Sequence, residues 1–160
     1  MTAPVAVGVR PAGIDDIAAL SEAHRLGQAA VVDSRGGPLD TLLRGRSEPI
    51  EDSFAADLEN DERLVLVGSG DSTFLGYCVL AFHELRNGEL LAIVTDLWVH
   101  PEARGIGVGH ALMRQATNAA TERGCVGIDA RALPGDRATK NFFESFGLVA
   151  RAIEVHKALP

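Results

Sequence analysis

A chain of 160 residues, 46% apolar and 23% charged, has the composition of an ordinary globular protein and is long enough to bury one core as a single domain over 1–160. Its formal net charge of −7 argues against nucleic acid or an anionic membrane surface as the main partner, and mildly suits a cationic substrate. No apolar run approaches a membrane span, and "MTAPVAVGVRPAG" lacks the basic flank of a secretory signal, so a cytoplasmic location is expected.

In chain order, "VAVGVR" (5–10) reads as a short strand. "GIDDIAALSEAHRLGQAA" follows, with Ile14, Ile17, Ala18, Leu20, Ala23 and Leu26 at the spacing of a helix face. Residues 33–53 are rich in glycine, proline and charge and are expected to form a mobile loop or a substrate-covering segment. From residue 63 the pattern turns to three antiparallel strands, "RLVLVG", "TFLGYCVLAF" and "LLAIVTDLWV", the last two joined by the hairpin signal Asn87-Gly88. The third is apolar on both faces, Leu91, Ile93, Leu97 and Val99 on one and Leu90, Ala92, Val94 and Trp98 on the other, as in a central strand between helices.

A helix from about Gly107 to Arg123 presents Val108, Leu112, Ala116 and Ala119 or Ala120 on one face, and Gly124 ends it. "CVGIDARAL" (125–133) predicts another strand. Asp136 can cap a short helix carrying Phe142, Phe143 and Phe146, closed by Gly147, and "LVARAIEVHKAL" reads as a final strand. Cys78 and Cys125 lie in strand-like runs without metal-ligand spacing, so buried reduced thiols and no metal are expected. The strand–helix–strand unit implies a parallel pair, hence a mixed sheet of the α/β or α+β class.

"HPEARGIGVGHALM" (100–113) is the most informative stretch. Glycine weakens helices, so Gly105, Gly107 and Gly109 at a helix start call for a tight turn or a close approach to the backbone. Ala103, Arg104, Gly105, Ile106 and Gly107 offer no side-chain oxygen to cap the helix. Its first amides are therefore free at the positive end of the dipole, with Arg104 beside them, as an anion site requires. The spacing fails the P-loop pattern GxxxxGK[ST] and the dinucleotide pattern GxGxxG, but fits R-x-x-G-x-G through Arg104, Gly107 and Gly109.

With "DLWVHPEARGIGVGHALM" and "DRATKNFFESFGL", the chain from about 88 to 149 resembles the GNAT superfamily of acyl-CoA N-acyltransferases, and "VRPAGIDDIAAL" resembles that family's opening less distinctively. The resemblance implies a mixed, mostly antiparallel sheet flanked by helices, with a parallel pair around the cofactor. It implies acetyl-CoA (coenzyme A) as co-substrate, with Leu97, Trp98 and Val99 along the pantetheine arm. Arg104, Gly105, Ile106, Gly107, Val108, Gly109 and His110 would hold the pyrophosphate, and Asp136, Lys140, Phe142 and Phe143 would flank the cofactor. The acceptor would be a small-molecule amine or a protein amino group, and pairing through the sheet or the C-terminal strand would give a homodimer.

Acetyl transfer to an amine needs a base and a donor to the oxyanion. Asp96, the one ionisable side chain of its strand, is the first candidate base, and His83 and Glu84 are the next. The competing reading makes Asp96 a structural acid paired with an arginine or a backbone amide. His100 and His110 flank the loop, whereas His24 and His156 attract no functional argument. The chain departs from the family where Phe143 replaces a tyrosine, Asp136 an asparagine and Thr139 an alanine, and where Ile93 and Thr95 replace acids of some relatives. Lys140 and Arg137 could offset the charge of Asp136. Phe143, Ile93 and Thr95 support an alternative, a coenzyme A-binding regulatory or sensing module with little or no catalysis.

Overall fold

The computed structural model describes residues 5–160, and its architecture follows from where apolar residues recur. A five-stranded sheet runs in the order β1-β2-β3-β4-β5: β1 Val7–Pro11, β2 Arg63–Gly70, β3 Thr73–Glu84, β4 Leu90–Val99 and β5 Cys125–Asp129. β1 to β4 pair antiparallel, and β5 joins β4 in parallel after the crossover helix α4, Val108–Glu122. Helices α1 (Ile17–Val31), α2 (Gly37–Arg44), α3 (Ile50–Leu58) and α5 (Arg137–Glu144) complete the mixed α/β fold.

Each sheet face buries its own cluster. On one, Leu66, Cys78, Leu80, Ala92 and Val94 meet Val108, Leu112, Met113, Ala116 and Ala120 of α4 and Phe143 of α5. On the other, Val65, Val67, Tyr77 and Val79 meet Leu20 and Ala23 of α1 and Ile50 and Phe54 of α3. Burial pushes the Cys78 thiol up to about 12, so it is an inert core residue. Cys125 is half-buried.

Five expectations need correction. Residues 33–53 are not an irregular loop, because their glycines and prolines mark helix ends. Gly36, with φ +84°, precedes α2, Pro38 stands in its first turn, and Pro49 precedes α3, whose first turn carries Glu51 and Asp52. The helix read from residue 13 starts at Ile17, and Ile14 and Leu26 are 78% and 51% exposed, so neither belongs to the buried face.

In β4 the apolar residues sort differently from strict alternation. Val79 lies opposite Asp96 but Leu80 lies opposite Val94, so Thr95 is an extra residue with no partner. The bulge reverses the phase. Ala92 and Val94 share a face with Leu97 and Val99, while Trp98 turns to the α1 side.

The tail after Leu148 is not a strand. Val149, Ile153, Val155 and Leu159 are 80–93% exposed, and the tail is tied by side chains only, Arg151 to Asp129 and Arg44 to Glu154. A strand needs a backbone partner and cover for its apolar side, and this segment has neither. The strand expected over 125–133 likewise stops at Asp129.

Candidate active site

The three glycines around the start of α4 do different jobs. Gly105 and Gly107 hold φ of +86° and +95°, and a Cβ on either would meet nothing within 4 Å, so both turn the chain sharply and face open space. At Gly109 a Cβ would lie 3.3 Å from Phe142 Cε2 and 3.5 Å from Val99 Cγ2, so the third glycine packs α4 against α5 and β4. No side chain caps α4, and its first intrahelical bond runs from the Ala111 amide to the Gly107 carbonyl, 2.9 Å. The Val108, Gly109 and His110 amides therefore have no partner within the helix, at its positive end. Arg104 and Ile106 are exposed beside them.

Aromatic side chains wall this region. His110 packs against Phe142 and Phe146 at centroid distances of 5.3 and 5.2 Å. Phe143 is buried in the core, 7% exposed, and offers no hydroxyl. Asp136 turns its carboxylate inward to cap α5, accepting from the Thr139 amide at 3.0 Å and the Thr139 hydroxyl at 2.6 Å. Lys140 is held by Glu144 at 2.7 Å rather than by Asp136. His100 stands edge-on to Trp98 and accepts from the Glu102 amide at 3.3 Å.

β5 follows β4 only as far as the pair Ile93–Asp129. Beyond it, Val94 to Val99 have no strand on that side, which leaves backbone groups of Leu97 and Val99 at an open edge, while Trp98, in phase with the His100 amide that bonds the Leu75 carbonyl, turns its own toward β3. The opening begins at the Thr95 bulge, where Asp96 stands.

Asp96 belongs to a buried polar cluster on the α1/α3 face. Arg46, in the turn between α2 and α3, puts Nη2 2.8 Å from Asp96 Oδ2 and Nη1 2.8 Å from Asp57 Oδ2, with its side chain only 9% exposed. Its guanidinium lies 3.9 Å from the Phe54 ring centroid. The Thr95 hydroxyl donates to Asp96 Oδ2 at 3.1 Å. His24 Nδ1 lies 3.6 Å from Asp96 Oδ1 and 3.3 Å from the Tyr77 hydroxyl.

Burial alone would raise the Asp96 pKa, but His24 and the Arg46 charge outweigh it and hold the carboxyl below its ordinary value. Burial opposes the Arg46 charge as well, and Asp96 and Asp57 outweigh that. Tyr77 is pushed well above the usual phenol range, first by burial and then by Asp96. The structure thus places Asp96 in an arginine pair at the wall of a cavity of about 260 Å³, lined also by Arg44, Arg46, Asp57, Arg63 and Thr95. His83 and Glu84 are exposed and opposite Leu91 and Leu90, at the other end of the β3–β4 ladder.

Sequence reasoning missed Arg46, Asp57, His24 and Tyr77. They come from different elements with no shared motif, and Arg46 lay in the segment read as a loop. Among the described residues no three His, Cys, Asp or Glu side chains converge as metal ligands would, and no helix is long and apolar enough to cross a membrane.

The fold has counterparts among known proteins. The chain belongs to the acetyltransferase (GNAT) family, whose profile matches residues 38–148. No curated protein matches it in sequence. Among solved structures, a transcriptional regulator from Bacillus halodurans C-125 is 20% identical with a TM-score of 0.73, over 96% of this chain and 100% of that one. An aminoglycoside acetyltransferase, meta-AAC0020, from an uncultured soil metagenomic sample, solved with sisomicin, is 19% identical with a TM-score of 0.73, over 96% and 95%. A ribosomal-protein-alanine N-acetyltransferase from Brucella melitensis biovar Abortus 2308 is 15% identical with a TM-score of 0.72, over 97% and 100%. At these identities the likeness is one of fold.

Proposed function

We propose that residues 1–160 form one N-acetyltransferase domain that moves an acetyl group from acetyl-CoA to a primary amine by direct attack. The observation that carries this reading is the uncapped, glycine-lined start of α4 beside the open edge of β4. Two glycines with nothing in front of them leave amides open to an anion, and Arg104 adds charge beside them. The residues thus fit a pyrophosphate there, with Leu97 and Val99 offering backbone partners to the arm and Trp98 standing between them. When bound, acetyl-CoA supplies the acetyl group as a reactive thioester.

The chain's own groups divide the remaining work. Free β4 amides beyond the bulge donate to the developing oxyanion. Asp96, kept ionised by His24 and Arg46, is too weak a base to strip a free ammonium at neutral pH, but it accepts the proton shed once the amine nitrogen is acylated. The amine must therefore arrive neutral. Phe143 has no proton to give, so the thiolate leaves without help from that position.

The burial of Phe143 and the pairing of Asp96 favour one second reading, a coenzyme A-binding module that does not turn over. Thiol release from acetyl-CoA in the presence of an amine panel separates the two. Amine-dependent release is expected, with a rate that climbs as pH approaches the amine's own pKa. Binding of acetyl-CoA without release in any pH range would support the module instead.

A further inference from the structure

The cavity beside Asp96 is rich in arginine. Three guanidiniums, Arg44, Arg46 and Arg63, line it against two carboxylates, Asp57 and Asp96. Arg46 spends its charge on both of those acids, at 2.8 Å each. Arg44 is engaged outside by Asp40 at 2.9 Å and by Glu154 at 2.6 Å. Arg63 is left over. Its nearest acid is Asp57, already held by Arg46, and that separation is 3.8 Å, beyond hydrogen-bond reach. Deeper in, Arg46 Nε is buried without an acceptor.

A carboxylate in this cavity meets a planar donor fork whose geometry suits it. At about 260 Å³ the cavity falls just below the ~300–1,000 Å³ of sites for drug-sized ligands, so it suits an amine the size of an amino acid. We infer that the acceptor is a small amine bearing a carboxylate, which Arg63 binds while the amine faces the β4 bulge. The inference rests on the acetyltransferase reading and goes against the mild suggestion of a cationic substrate in the net charge.

The test uses the full chain, acetyl-CoA, and the α-amino acids each paired with its C-terminal amide. The carboxylate member should be favoured at least tenfold in kcat/KM, expressed per concentration of neutral amine, for the pairs turned over. Arg63→Gln should bring that ratio near unity, mainly through KM, and Arg63→Lys should restore part of it, with acetyl-CoA affinity unchanged in both. Equal or reversed preference, or a preference that survives Arg63→Gln, overturns the inference. Turnover of neither member, with acetyl-CoA still bound, overturns it too. Loss of acetyl-CoA binding by the unmodified chain is the separate outcome that sinks the acetyltransferase reading itself.

Discussion

The two faces of β4 are built on different principles. On the α4 face the functional groups are backbone amides, presented by one contiguous stretch and freed by glycine and a missing cap. On the α1/α3 face they are polar and charged side chains from α1, α3, β3, β4 and the α2–α3 turn, assembled around one buried guanidinium. A site made of backbone needs no partner from elsewhere in the chain and tolerates change around it. A site made of buried charges fails when any one member is removed, because the others are left unpaired at low dielectric.

That contrast predicts effects in a definite order. The largest is Arg46→Met, which leaves Asp57 and Asp96 without their cation. Denaturant unfolding should show a loss of about 3–5 kcal/mol. A loss below ~1 kcal/mol would mean that the cluster is solvated in solution.

Next, Gly27→Val pushes a side chain into Trp98, whose Cδ1 would lie 2.8 Å from the new Cβ. It should cost ~1–3 kcal/mol by overpacking and slow turnover by shifting β4.

The Asp96 carboxyl sets a pH dependence. Its folded pKa lies below its unfolded value, so its contribution is present above the unfolded pKa and lost as pH falls through the folded one. The wild type should therefore lose stability as pH falls below the ordinary carboxylate range, and Asp96→Asn should flatten that part of the curve.

The smallest effect belongs to the tail. Removal of Ile153–Pro160 takes away exposed residues and one surface ion pair, and should change stability by less than ~1 kcal/mol. A larger loss would show that the tail does pair as the strand its alternation suggests.

The same contrast explains what the sequence made legible. The α4 face could be read because local patterns carried it: Val108, Leu112 and Ala116 at helical spacing, the missing cap, and glycines at 105, 107 and 109. The β2–β3–β4 meander was equally local. Asn87-Gly88 marked one hairpin, although only Gly88 there takes positive φ, while Asp71 and Ser72 both do in the β2–β3 turn.

The α1/α3 face was illegible because its members have no spacing in common. His24 looked like one more polar residue on α1, and Arg46 like a loop arginine. Their roles exist only once α3 and β4 lie against each other. The bulge at Thr95 was hidden for a related reason. An extra residue in a strand is fixed by the register with its neighbour, which composition does not carry.

The most direct test of the central claim is a calorimetric titration of acetyl-CoA into the wild type and Gly107→Glu. A glutamate at that left-handed position would put a negative side chain in front of the free α4 amides. The account predicts binding by the wild type and at least a tenfold weaker Kd in the variant, with circular dichroism showing that it still folds. Equal affinity in the two proteins would contradict the claim that the start of α4 holds the cofactor.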